Sequence, residues 1–161
     1  MTITRPDVVT VVSRACQHSK NPTRAHWKTV IRILRYLLTT ADFALVYQRF
    51  VRPVTVTAFA DAAFANELKQ RSHYGHAIYV SGCLVCWLTK ATKSVCLSTA
   101  EAELVAVEVV KDLLWLRNFL TELGFPQSVP SKLYEDNQAC VAMVNNHIVS
   151  GRNRHFCVKM T

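Results

Sequence analysis

Glycine and proline are scarce, with four and five residues in a chain of 161. Half of the residues are hydrophobic. That balance excludes a flexible linker or a disordered chain and predicts a packed core of about one domain, or one domain plus a piece of another. Long hydrophobic runs are missing too. No apolar stretch approaches the roughly 20 residues that span a bilayer, and the opening "MTITRPDVVT" has no signal-peptide core. An intracellular location and no membrane partner are expected. A cysteine framework is also lacking. The six cysteines (16, 83, 86, 96, 140 and 157) are scattered through apolar segments and read as reduced core thiols. Cys83 and Cys86 have ligand-like spacing, but no second Cys/His pair stands near them, so zinc is not expected.

Acidic residues are in deficit, 11 against 19 Lys and Arg, for a net charge of +8. The excess is uneven. Residues 1–50 hold eight bases and two acids, whereas residues 51–161 hold eleven and nine. A basic chain favours polyanionic partners, and the asymmetry predicts two segments, 1–50 and 51–161.

In the first segment, "TRPDVVTVVSRACQHS" predicts a short helix with Thr4 as cap and Pro6 in the first turn. "NPTRAHWKTVIRILRYLLTT" predicts a longer one, capped by Asn21 with Pro22 first. Trp27, Val30, Ile31, Leu34 and Leu38 recur along it at helical spacing. Arg24, Lys28, Arg32 and Arg35 form a basic stripe beside that apolar face. Such a stripe is either a solvated helix face or a row of phosphate contacts.

From residue 43 the period shortens. "FALVYQRF" and "VTVTAFADAAFA" have strand composition and are separated by Pro53. Two further strands flank a hairpin turn at Ser81-Gly82. A long helix over 99–123 follows, stopped by Gly124 and Pro126. "SKLYEDN" predicts a short strand and "QACVAMVNN" a short helix. An antiparallel three-strand meander, a long helix and a returning strand make an α/β mixed sheet. The crossover rule places the returning strand parallel to its neighbour.

Carboxylates in such strands are costly to bury unless paired or bound to metal. Asp61 lies within an apolar strand and Asp136 closes another. Ser98-Thr99-Ala100-Glu101 fits a capping box, which gives Ser98 and Glu101 a structural task. Glu103 has no such task and stands in line with Ala106, Val107 and Val110. Asp61, Glu103 and Asp136 together suit hard divalent cations, Mg2+ or Mn2+. Two such ions stabilise the entering and leaving oxygens of a phosphoryl displacement. The histidines at 73, 76, 147 and 155 read as surface or turn residues, with His147 and His155 nearest Asp136 in sequence.

The motifs of residues 57–124 occur in order: Asp61, Arg71-Ser72 with Gly75, Trp87, Ser98 through Glu103, and Trp115-Leu116-Arg117. "YEDNQACVAMVNN" follows, with Asp136-Asn137 and Ala139. This series resembles the ribonuclease H domain of Ty1/copia-type retrotransposon Pol polyproteins. Arg5-Pro6-Asp7, Asn21-Pro22, His26-Trp27 and Leu34-Arg35-Tyr36-Leu37 resemble the end of the preceding reverse transcriptase. The resemblance implies an RNase H-like fold, two Mg2+ (or Mn2+) ions, and cleavage of RNA in RNA–DNA hybrids. It implies as metal-binding catalytic acids Asp61, Glu103 and Asp136, and as companion the remainder of the polyprotein. Arg24, Lys28, Arg32, Arg35, Lys90 and Lys93 are the candidate phosphate contacts. Two departures stand out: Ala63 occupies the place of a second strand acid, and His155-Phe156-Cys157 replaces His-Ile-Asp. The family's fifth strand, last helix and fourth acid are expected to lie beyond Thr161. The alternative to an enzyme is an inactive remnant that folds and binds nucleic acid without cleaving it.

Overall fold

The computed structural model describes residues 4–49, 53–63, 73–91, 98–135 and 156–160. The chain forms two compact units, Met1–Val46 and Tyr47–Thr161.

In the first unit a single 3-10 turn, Pro6–Val8, leads into α1 (Val9–Cys16), and α2 spans Arg24–Thr39. The turn's cap position is Arg5 rather than the expected Thr4, and it makes no side-chain cap bond. Arg5 has other work. Its guanidinium donates to both Asp7 carboxylate oxygens and to the carbonyl and hydroxyl of Thr40. Tyr36 donates its hydroxyl to Asp7 as well, so the Arg-Pro-Asp motif pins the start of this unit to the end of α2. α2 is capped by Thr23, not Asn21. The Thr23 hydroxyl accepts from the His26 amide, and His26 Nδ1 accepts from the Thr23 amide. Threonine two residues after Asn21 wins because His26 stands at the right distance to reciprocate. No residue of α2 is fully buried, and Trp27 and Leu38 are 64% and 79% exposed.

Residues 43–49, expected to form part of a strand, make none. β propensity needs a neighbouring strand to take up the backbone groups, and among the described residues none pairs with them.

The second unit is built on a sheet of order β3-β2-β1-β4-β5. β1 (Val56–Ala63), β2 (His73–Val80) and β3 (Cys83–Ala91) form the predicted antiparallel meander. Ser81 and Gly82 join β2 to β3, both with positive φ (49° and 82°), the type I′ geometry that suits strand twist. Gly75 in β2 serves a different need, because a Cβ there would lie 2.7 Å from the Leu88 carbonyl oxygen. β2 and β3 slip register between Ile78 and Tyr79, leaving Val85 as a bulged residue between the Tyr79–Leu84 and Ile78–Cys86 pairs.

α3 (Ser98–Glu122) crosses the sheet and returns the chain to β4 (Ser131–Glu135), parallel to β1 as the crossover rule requires. Val109, Leu113, Leu116 and Leu120 are buried at spacings of four, three and four. They pack on Val56, Ala58, Ala60, Tyr74, Ile78 and Leu133. Each fully buried leucine of this kind contributes about 1.5–3 kcal/mol. The helix stops in a Schellman motif. The Phe125 amide reaches the Leu120 carbonyl and the Gly124 amide the Thr121 carbonyl, with Gly124 at φ 83°.

One expectation is overturned at the far edge. Phe156–Met160 forms β5, paired in parallel with β4 from Ser131–Phe156 to Glu135–Met160. The outer side of β4 is therefore covered rather than left open. Its unpaired backbone groups are a template for strand addition, and this short apolar stretch supplies the strand. The result is the α/β mixed sheet expected for an RNase H-like fold. The helix predicted over 138–146 lies outside the described residues.

Candidate functional site

The topology brings the end of β1, the start of α3 and the end of β4 to one rim of the sheet. Ala63, His73 and Ala91 are paired across β1, β2 and β3, so β1 and β3 end at the same edge. α3 starts seven positions after Ala91, at Ser98, and runs back over the sheet. β4 runs parallel to β1 and ends at Glu135, immediately before Asp136. Asp61 near the end of β1 and the first turns of α3, with Ser98, Glu101 and Glu103, thus belong to the end of the sheet towards which β4 leads.

Of the three acids, Asp61 alone has a described side chain. It is exposed and sits opposite Gly75 on β2. Among the described residues it makes no ion pair. By strand alternation it shares the face of Thr57 and Phe59, not that of Ala60, which packs under α3. Glu103 lies in α3, but its carboxylate, like the Ser98 and Glu101 side chains, is outside the described residues, as is Asp136.

A fourth acid was not anticipated. Glu135 is 1% exposed and alternates with Ser131 and Leu133 on the core side of β4. The signal was present in "SKLYE", where positions 131, 133 and 135 share one face.

The candidate phosphate contacts divide. Arg24, Lys28, Arg32 and Arg35 are all exposed along α2. Lys90 is exposed on β3 but stands 3.6 Å from Glu108 on α3, so part of its charge is already answered. Lys93 lies outside the described residues, as do Arg71, Ser72, His147 and His155.

His76 corrects the expectation of a surface histidine, for it is 5% exposed beneath α3. Burial holds its pKa below the ordinary value against the opposing pull of Asp112. Burial also raises the Tyr74 phenol and the Cys86 thiol. Cys16 is exposed on α1 and is not the core thiol expected, whereas Cys83 is half-buried and Cys86, also half-buried, packs against the core cluster.

The Trp-Leu-Arg motif has separate roles for its members. Leu116 enters the core while Trp115 points outward and stacks on Phe119 at 5.3 Å. Arg117 is 5% exposed and donates to the carbonyls of Gln127 (2.6 Å) and Val129 (3.0 Å) and to the Ser131 hydroxyl (2.8 Å). Burial pushes its pKa down. The guanidinium fixes the path into β4 and hence the direction in which that strand carries the chain toward Asp136.

No protein-family model matches the chain. It is similar to the retrovirus-related Pol polyprotein from transposon TNT 1-94 of Nicotiana tabacum. They are 34% identical over 161 residues, which is 99% of the chain and 12% of that polyprotein. It is likewise similar to the Pol polyprotein from transposon RE2 of Arabidopsis thaliana, 31% identical over 98% of the chain and 11% of the relative. The chain belongs to the Pol polyproteins of Ty1/copia-type retrotransposons. It spans about an eighth of the length of these Pol relatives. A secreted RxLR effector protein of Plasmopara viticola is also similar to this Pol-family chain, 31% identical over 72% of the chain and 82% of the effector. Among the described residues no helix is long and apolar enough to cross a membrane.

Proposed function

We propose that this Pol-family chain carries an RNase H-type nuclease segment acting on RNA–DNA hybrids inside the cell, preceded by the end of a reverse transcriptase. The observation that carries the reading is topological. Asp61 on β1, the start of α3 with Glu103, and the carboxyl end of β4 before Asp136 belong to one rim. The carboxylate donors suit Mg2+ or Mn2+, and the exposed Asp61 side chain has no described cation to displace. Asp61, Glu103 and Asp136 would hold the ions, which when bound stabilise charge on the entering and leaving oxygens of the phosphodiester.

The chain's own part is placement. The sheet fixes Asp61 through the β1–β2 and β1–β4 ladders. Arg117 fixes the path into β4. The exposed cations of α2 are suited to nucleic-acid phosphates, which position a hybrid without reading its sequence. A hybrid is told from duplex DNA by its 2′-hydroxyls and groove shape. The open apolar side chains of α2, Trp27, Leu34 and Leu38, suit packing against the remainder of the polyprotein.

A second reading is a remnant that binds hybrids without cutting them. It is favoured by Asp61 alternating away from the α3 face and by Ala63 in place of a second acid. A labelled RNA–DNA hybrid incubated with Mg2+ separates the two. Cleavage by the chain that disappears in Asp61→Asn, Glu103→Gln and Asp136→Asn supports the nuclease. Binding with no metal-dependent cleavage, or cleavage indifferent to all three substitutions, refutes it.

A further inference from the structure

Beneath α3, on the sheet face opposite to that of Asp61, three side chains from three elements converge. His76 of β2, Cys86 of β3 and Asp112 of α3 bring their ligand atoms within 4.8 Å of one another. The His76 side chain is 1% exposed, and its Nε2 lies 3.0 Å from Asp112 Oδ2. Asp112 attracts the ring at that distance, yet neither buried ring nitrogen completes a well-formed hydrogen bond. A buried polar group left so costs about 1–3 kcal/mol. An ordinary core histidine would be hydrogen-bonded, and an ordinary His–Asp pair would be aligned.

The backbone makes a matching adjustment. Were Val85 paired with Ile78 in unbroken register, Cys86 would sit opposite Ala77 and face away from α3. The bulge instead sets Cys86 opposite Ile78, which is fully buried, and Cys86 packs against the same core cluster. Bulges commonly re-aim a side chain in this way. The sequence spacing that argued against zinc looked for Cys83 as the partner of Cys86. The sheet supplies His76 and Asp112.

We propose that His76, Cys86 and Asp112 form a binding site for a zinc-class divalent ion that ties α3 to the β2–β3 hairpin. An imidazole, a thiolate and a carboxylate are the donor types such an ion takes, whereas thiolate disfavours Mg2+. With metal–ligand bonds of about 2.0–2.3 Å, tetrahedral ligands stand about 3.3–3.6 Å apart. Here His76 Nε2 and Asp112 Oδ2 are 3.0 Å apart and no pair of ligand atoms exceeds 4.8 Å, so small side-chain shifts would complete the site. Water fills the fourth position. Glu108, one turn before Asp112, is engaged by Lys90 and is not a ligand. The site is structural, and it does not depend on the nuclease reading.

Cobalt(II) is the probe, added to the full chain freed of metal. One equivalent is expected to bind and to give a thiolate-to-cobalt charge-transfer band. Excess Zn2+ abolishes the band and excess Mg2+ does not. Cys86→Ser removes the band while Cys83→Ser keeps it, and Asp112→Asn weakens binding at least tenfold. Zn2+ raises the thermal midpoint of the wild type but not of Cys86→Ser. Circular dichroism of each metal-free variant checks folding, and Asp112, at the open side of the site, serves where Cys86→Ser does not fold. Absence of the band in the wild type overturns the proposal. So does a band that survives in folded Cys86→Ser, or unchanged affinity in Asp112→Asn.

Discussion

Replacing Arg117 with methionine keeps most of the aliphatic bulk and removes every donor. Three acceptors lose their partner: the carbonyls of Gln127 and Val129 and the hydroxyl of Ser131. The two carbonyls lie in a loop that water reaches, so their loss is softened. Ser131 is 2% exposed and is not rescued. Hydrogen bonds to a charged donor contribute about 1.5–3 kcal/mol each, and an orphaned buried acceptor costs about 1–3 kcal/mol. Against this, the variant no longer buries a charge, the same desolvation that lowers the arginine's pKa. The net expectation is about 2–3 kcal/mol of destabilisation, a fall in melting temperature of about 5–15 °C. Urea unfolding followed by circular dichroism should show a lower midpoint at unchanged slope. Arg117→Lys, which can still satisfy one acceptor, should lose about half as much, since each charged bond contributes about 1.5–3 kcal/mol. The loss should be flat across neutral pH, because a guanidinium does not titrate there. A change within about 0.5 kcal/mol of wild type, the range of ordinary surface substitutions, would refute the account.

Gly75→Ala forces a Cβ to within 2.7 Å of the Leu88 carbonyl oxygen, a backbone atom of the paired strand that does not yield easily. It should destabilise by about 1–3 kcal/mol in the same urea assay, and amide exchange should speed along β2 and β3 rather than β4. Asp7 should titrate at about 2, held there by the hydrogen bonds from Arg5, with carboxyl NMR shifts as the readout. Since the folded value lies below the ordinary 3.8, the stabilisation is complete above that value and is lost as pH falls toward 2. The pair is partly solvent-facing, so the loss is about 1 kcal/mol at most, and Asp7→Asn should abolish the dependence.

Much of the sheet was legible because alternation is a local property. Val56, Ala58 and Ala60 face the core in strict period two, and Ser81-Gly82 encodes its own turn. The stop of α3 was equally local, since Gly124 is the residue that tolerates the backbone angle required there. What escaped depended on distant partners. Residues 43–49 have strand composition but, among the described residues, no strand beside them. Thr23 caps α2 through His26, a reciprocal bond that Asn21-Pro22 conceals. The pairing of Phe156–Met160 with β4 could not be read from either segment alone. Of the candidate site, residue types and rim position were legible, but Asp61's face follows from registers that only the assembled sheet fixes. His76 stands in phase with Tyr74 and Ile78, so its burial was readable in principle. Cys86 was not, because a bulge reverses the parity on which that reading rests.

The strand order also dictates a timetable. β1 is central, with a hairpin meander on one side that closes from nearby residues, and on the other a ladder that waits for α3 and β4. Contacts so distant along the chain form late. As the chain leaves the ribosome, β1 therefore presents a bare hydrogen-bonding edge until residues around Ser131 emerge, and a second edge, on β4, stays bare until Phe156 follows. Premature termination anywhere between those points would release a species primed to recruit strands from other molecules.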